Sequence, residues 1–281
     1  MWFFLPAKRA SNSSFISTVY LFQMLTDMIQ TLLRPRPTRR QALSLIDRLG
    51  HDLSLVQAAR PHPQLIQHIE MLRRLGHWVL VVLDSPKNPS PVKSQFMGDA
   101  YNWTHQLPRS HVVCALDQDT IKLPLLLNLL HKGLVPIIPS LQVQNNCYRP
   151  VSSAHILLKL ATDLRDSHNV RLFVMDEAGG IQSRENHIPL VFTSLLGKHD
   201  HLKFSKQISL IESVLNVLDD KASAVLTSPM VSSSLISNLV SDKPLAGTDS
   251  SLLPTVFRRG CSISWATIDT VDCAKLGLLN S

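Results

Sequence analysis

From Thr38 onward the chain alternates between stripes of helical period and short continuous apolar runs. Thr38 and Gln41 form a capping-box pattern, Ala42, Leu45, Ile46 and Leu49 recur at i, i+3, i+4 and i+7, and Gly50 supplies a stop. Leu53–Gln57 then reads as a short strand. Leu65, Ile66, Ile69 and Leu72 line a second helix that Gly76 ends, and Trp78–Leu83 follows as a β-branched run of the kind buried on both faces of a parallel sheet. The strand signature returns at His111–Leu116, Val135–Ile138, Val170–Met175 and Ala224–Thr227, with helices expected near 119–132, 152–166 and 203–218. This rhythm predicts an α/β fold of three layers, an open and mainly parallel sheet with helices on both faces. Pro86, Pro89, Pro91 and Pro108 interrupt it, and 86–108 is expected to be an irregular surface excursion.

Composition narrows the class. A chain of 281 residues with 44% hydrophobic content can bury a sizeable core. Its longest apolar runs, such as Leu123–Leu130 with its interrupting Asn128, fall well short of the roughly 20 residues that cross a bilayer, so no membrane span is expected. Cys114, Cys147, Cys261 and Cys273 lie far apart without C-x-x-C spacing and are expected to be reduced structural thiols. The formal charge of +7 comes from scattered lysines and arginines without interleaved aromatic platforms, which argues against nucleic acid as a partner.

Several motifs are informative by absence. The ten glycines contain no G-x-G and no G-K-[ST], which excludes a Rossmann fingerprint and a P-loop. Gln95-Phe96-Met97-Gly98-Asp99-Ala100 matches the Q-x-x-G-x-[GA] pattern with which GNAT acetyltransferases cradle a coenzyme A pyrophosphate, but no strand leads into it. His199-Asp200-His201 lacks a third ligand at metal-binding spacing. Ser228 with His155 or His187 has no nucleophile elbow. Arg258-Arg259-Gly260 suits a bound carboxylate or a plain basic turn. No catalytic residue, no metal ligand set and no cofactor of this chain's own is assigned.

The strongest candidate site follows the strand Val170–Met175. Asp176 and Glu177 stand at the carboxyl end of this strand, where open α/β sheets bind ligands, and Gly179 and Gly180 permit close backbone approach. The two carboxylates suit the cationic groups of an arginine; the same four residues also suit a tight turn with capping carboxylates.

Six segments in order resemble the kinase-like domain of fungal N-acetylglutamate synthases, acetyltransferases that open arginine synthesis. Thr38–Leu45 is similar to that domain's opening helix and Leu72–Asp84 to its second βα step. Lys132–Pro139 and Val151–Leu164 are similar to its G-x-x-P-V-I-x-P strand and following helix. Asp176–Ser183 is similar to D-P-L-G-G-I-P-S, and Ser241–Leu245 with Val256–Gly260 to T-D-K-P-L and L-V-R-R-G. The resemblance implies an amino-acid-kinase-like fold over 38–272. It implies a regulatory role: sensing L-arginine at Asp176, Glu177, Gly179 and Gly180, and assembling as a homo-oligomer or with acetylglutamate kinase. Acetyl-CoA and glutamate are substrates of the full-length family's acetyltransferase half, expected to follow the tail 273–281. The family's phosphate-binding lysine and paired glycines correspond here to Gln57 and the residues after it, in Val56-Gln57-Ala58-Ala59-Arg60. Without that cation a phosphoryl group loses its usual stabilisation. The small-molecule kinase of the same fold and the catalytically silent α/β interaction module stay open as alternatives. Residues 1–37 carry Lys8 and Arg9, many hydroxyls and no acid before Asp27, which suits a mitochondrial presequence and residence in the matrix. Phe15–Ile29 is also apolar enough to pack on the domain as an ordinary helix.

Overall fold

Seven consecutive buried residues, Asp52–Ala58, form strand β1 at the middle of the sheet in the computed structural model. The structure describes residues 52–84, 92–145, 147–183, 186–193, 204–219, 222–231, 235–236, 239 and 253–259. The expected helix at 38–50, the extension 1–37, His199-Asp200-His201 and the tail 273–281 lie outside these residues.

After β1 come α1 (Pro63–Arg74), β2 (Trp78–Leu83), α2 (Val92–Gln106), β3 (Ser110–Val112), β4 (Leu116–Asp117), β5 (Thr120–Ile121) and α3 (Leu123–His131). Then follow β6 (Val135–Ile138), β7 (Leu141–Gln144), β8 (Cys147–Pro150), α4 (Ser153–Leu164) and β9 (Asn169–Met175). The short strands β10 (Gln182–Ser183), β11 (Asn186–His187) and β12 (Leu190–Phe192) precede α5 (Ser205–Val217), β13 (Ser223–Thr227) and β14 (Thr255–Arg258).

The main sheet has eight strands in the order β12-β14-β13-β9-β1-β2-β6-β3. From β13 through β3 every pair is parallel, and β14 runs antiparallel to β13. Side chains alternate across it as strand geometry requires. Leu53, Leu55, Leu80, Val82, Leu172 and Val174 face one way and pack with α3, α4 and α5. Val56, Val79, Val81, Phe173 and Val225 face the other way and pack with α1 and α2. The sheet is therefore covered on both faces, as the sequence rhythm predicts, and its strands read as unbroken apolar runs for that reason.

Local chemistry sets the helix limits. Pro63 opens α1 at a position whose N–H has no intrahelical partner, and Gly76, with φ of 83°, closes its turn. Ser152 caps α4 by accepting a hydrogen bond from the Ala154 N–H at 3.2 Å.

Two expectations are corrected. Residues 86–91 lie outside the described residues, but 92–106 is not irregular: it is α2, whose Phe96, Ala100 and Trp103 lie at helical spacing and are at most 3% exposed, and Ala100 and Trp103 pack under the sheet with Leu107. Pro86, Pro89 and Pro91 precede the helix and Pro108 follows it, so none interrupts its hydrogen bonds. The expected strand His111–Leu116 divides at Val113–Ala115: β3 pairs with β6 in the main sheet, whereas β4 joins a four-stranded sheet of order β5-β4-β7-β8. Gln118 and Asp119, with φ of 45° and 69°, form the two-residue hairpin turn between β4 and β5, which delays the next helix to Leu123.

Trp103, fully buried in α2, tests the first correction. Trp103→Ala is expected to lower unfolding free energy by about 3–5 kcal/mol, and Tyr101→Ala, at an exposed position of the same helix, by under about 0.5 kcal/mol. Urea denaturation of the two variants measures both; equal losses would mean that α2 does not pack as described.

Candidate functional site

The chain enters the sheet at β1, crosses through α1 to β2 on one side, and returns through α4 to β9 on the other. Where connections diverge in this way, a crevice opens beyond the carboxyl ends of the strands. The side chains at that edge are Gln57 from β1, Asp84 after β2, Asp176 after β9, and Ser153, the first residue of α4.

Three of them form a cluster. Gln57 Nε2 donates to Asp84 Oδ1 at 3.2 Å and to Ser153 Oγ at 3.0 Å, and Ser153 Oγ donates to Asp84 Oδ1 at 2.8 Å. Gln57 is 8% exposed, and its Oε1 has no hydrogen-bond partner. An unsatisfied buried acceptor costs about 1–3 kcal/mol. Nearby, Ser140 Oγ donates to the Leu83 carbonyl, fixing the turn after β6 against the end of β2.

The loop after β9 is a tight turn built on Asp176. Asp176 Oδ1 accepts from the Ala178 N–H at 2.9 Å, Oδ2 accepts from Gln207 Nε2 of α5 at 2.7 Å, and the Asp176 carbonyl accepts from the Gly179 N–H at 3.0 Å. Gly179 takes a φ of 77°, which disfavours any side chain. Gly180 is needed for space: a Cβ there would lie 2.4 Å from the Leu253 carbonyl oxygen and 2.6 Å from Thr255 Oγ1. The Gly180 N–H donates to that same carbonyl, and the Ile181 N–H to Thr255 Oγ1. The four residues singled out from sequence thus sit together at the sheet's carboxyl edge. Asp176 is half-buried and engaged within the fold on both oxygens, both glycines are buried, and Glu177 is exposed.

The remaining sequence candidates are dispersed. Gln95–Ala100 falls inside α2, where backbone N–H groups serve the helix and cannot cradle a pyrophosphate. His155 Nε2 and Lys159 Nζ each lie 2.7 Å from an Asp119 carboxylate oxygen, and Lys159 first, then His155, holds that exposed carboxyl below its ordinary range. Ser228 is buried, and its Oγ accepts from the Met230 N–H. Cys114 and Cys147 are free thiols; burial pushes that of Cys114 up, which keeps it protonated. Arg258 ends β14, and the Arg259 carbonyl accepts from Thr193 Oγ1. Among the described residues, no group of three or more His, Cys, Asp or Glu is placed to hold a metal ion, and no helix is long and apolar enough to cross a membrane. A groove of about 620 Å³ runs between α4 and α5, lined by Ser152, His155, Leu158, Lys206, Ser209 and Ser213.

No protein-family model matches the chain, and no curated protein matches it at a significant level. Solved structures do. The N-acetylglutamate synthase of Neisseria gonorrhoeae, complexed with coenzyme A and L-arginine, is similar with a TM-score of 0.62 at 13% identity, over 85% of this chain and 69% of that one. The complex of that synthase with coenzyme A and N-acetyl-glutamate gives 0.60 at 13% identity, over 80% and 63%. An isopentenyl phosphate kinase substrate complex gives 0.51 at 15% identity, over 74% of this chain and all of that one. The chain has an amino-acid-kinase-like fold. It spans about two thirds of the length of the synthases it matches, and at these identities the likeness is one of fold.

Within the amino-acid-kinase-like fold, sequence reading found Gln57 and the Asp176 loop but not Ser153, and it placed Asp84 only as the end of a strand. Gln57 lies 96 positions from Ser153 and 27 from Asp84, so no local motif joins them. The readable signal was a polar residue ending each of two apolar strands at one sheet edge.

The two loop glycines separate strain from crowding. Gly179→Ala is expected to cost about 1–2 kcal/mol through its left-handed backbone alone. Gly180→Ala is expected to cost about 1–3 kcal/mol or more, because backbone atoms cannot yield to the added carbon. Denaturant titration compares them; a neutral Gly180→Ala would contradict the close approach of Leu253–Thr255.

Proposed function

We propose that this chain is the kinase-like, arginine-sensing half of a mitochondrial N-acetylglutamate synthase of the fungal type. In this role it binds L-arginine as effector and associates with itself or with acetylglutamate kinase. The observation that carries the reading is the fold likeness over 85% of the chain to a synthase complexed with L-arginine. The six collinear segments of sequence resemblance support it independently. Acetyl transfer belongs, on this reading, to the full-length family with acetyl-CoA as substrate. The helical state of Gln95–Ala100 supports that division, since this match offers no coenzyme A cradle.

The runner-up, a small-molecule kinase, has support from the isopentenyl phosphate kinase likeness. Gln57 weighs against it. A neutral carboxamide whose N–H groups are tied to Asp84 and Ser153 cannot supply the cation that a migrating phosphoryl group needs. The interaction module differs from the favoured reading only in having no effector.

Calorimetry distinguishes these. L-arginine is expected to give a saturable heat that Glu177→Ala weakens at least ten-fold, because Glu177 is the exposed carboxylate of the loop and charge-assisted hydrogen bonds to carboxylate are strong. No arginine-specific heat, or heat unchanged by Glu177→Ala, would leave the loop structural and favour the module. Phosphate transfer from ATP to acetylglutamate above background would favour the kinase.

Matrix residence is part of the proposal and has its own test. A fusion of residues 1–37 to a fluorescent protein is expected to enter mitochondria, and Lys8→Glu with Arg9→Glu to keep it in the cytosol. Cytosolic fluorescence of the unaltered fusion would remove the targeting claim.

A further inference from the structure

Three rings meet at the amino edge of the sheet, at the opposite end of the strands from the crevice. Trp78, the half-buried first residue of β2, packs edge-on against His131, the last residue of α3, with ring centroids 4.8 Å apart. Its indole also lies against His168, in the turn between α4 and β9, at 5.1 Å and a tilt of 36°. One side chain therefore joins β2 to the end of α3 and to the α4–β9 turn. Both imidazoles touch the same indole, so they lie within about one Debye length of each other, about 10 Å at 0.1 M salt. Among the described residues no carboxylate pairs with either. On the turn itself Arg165 and Asp166 face each other at 3.5 Å; from β9, Arg171 faces Asp52 at 3.6 Å. On β2's side the buried His77 has its Nε2 2.8 Å from Ser54 Oγ, and Lys132, next to His131, is exposed. Ser167 Oγ lies 2.7 Å from His168 Nδ1 and can serve either protonation state, because the Leu164 carbonyl at 3.2 Å offers its proton a second acceptor.

We propose that Trp78, His131 and His168 form an acid-released clasp: with an imidazole neutral the three rings stay packed and hold α3, the α4–β9 turn and β2 together, and protonation of His168 beside a charged His131 opens it. The shared indole carries the coupling. A single imidazolium gains attraction from the indole face, and the ends of α3 and α4 favour positive charge. Both effects help a first proton, and neither removes the repulsion that a second one meets. Burial, and then the charge of His131, hold His168 below the ordinary imidazole range. The unfolded chain therefore takes this proton more readily than the folded one. The clasp's stabilisation is complete above the ordinary imidazole range and declines as pH falls through that range toward the lowered value. The inference is independent of the arginine and kinase readings of the carboxyl edge.

An NMR titration of the full 281-residue chain, followed through its imidazole ring signals from about pH 8 to about pH 5, tests the clasp. His168 is expected to take its proton below the ordinary imidazole range, and the Trp78 indole N–H signal to move with that step. His131→Gln removes the neighbouring charge and is expected to bring the His168 midpoint back up. The same variant is expected to lessen the loss of urea midpoint between neutral and mildly acid solution. His111→Gln, at an exposed histidine of β3, is expected to change neither. The titration of the unaltered protein reads the His168 midpoint and the Trp78 response even where a variant fails to fold. A His168 midpoint within or above the ordinary range would mean that the indole and the helix ends dominate, and would overturn the proposal. So would a His168 midpoint that His131→Gln leaves unmoved, or a Trp78 signal that does not follow His168.

Discussion

A strand hydrogen-bonded along both edges and buried on both faces has nowhere to slip, and β1 is such a strand. Its register sets Leu55 between Leu80 and Leu172, and Gln57 between Val82 and Val174. A shift of one residue would turn Gln57 toward the α1 and α2 face and every apolar neighbour with it. Because that exchange is forbidden by packing, the polar end of β1 is delivered to one place, beside the last residues of β2 and β9. The place of the Gln57–Asp84–Ser153 cluster is thus a consequence of core packing.

What the crevice can do follows from charge and proton count. Asp84 lies against the first turn of α4, where the helix dipole favours negative charge. Helix N-termini of this kind often receive phosphate; here a carboxylate of the chain itself holds the position, and a neutral glutamine stands at the centre of the cluster. A neutral carboxamide in this place weighs against phosphoryl transfer there, which needs a cation beside the migrating group.

The parts of this arrangement legible in sequence are those written by periodicity. Trp78–Leu83 and Val135–Ile138 have the limits that their apolar runs predict, and β9 begins one residue earlier than predicted. Helix α2 was hidden because prolines crowd its flanks and its buried stripe of Phe96, Ala100 and Trp103 is diluted by Gly98, Asp99 and Asn102. The β4–β5 hairpin was hidden because its turn has Gln118-Asp119 in left-handed conformations without a glycine to announce them. Strand β14 was hidden because Thr255 and Arg258 flank only two apolar residues, Val256 and Phe257, which is too short a run to read as a strand. The Asp176 loop was visible as chemistry, whereas the contacts that fix Gly180 arise 73 to 75 positions away and have no local trace.

Those contacts also bear on how the loop could act. Gly180 and Ile181 donate to Leu253 and Thr255, and Thr255 Oγ1 in turn donates to the Ile188 carbonyl just before β12. The turn on Asp176 is tied on its other side to Gln207 of α5. The loop is therefore one hydrogen-bonded unit with the antiparallel edge of the sheet and with a helix that covers one face. A ligand that did no more than touch Glu177 would leave this unit as it is. A ligand that displaced Asp176 or Gly180 would have to break bonds to β14 or α5, so any response larger than side-chain contact must pass through the edge strands and not through the rigid centre around β1.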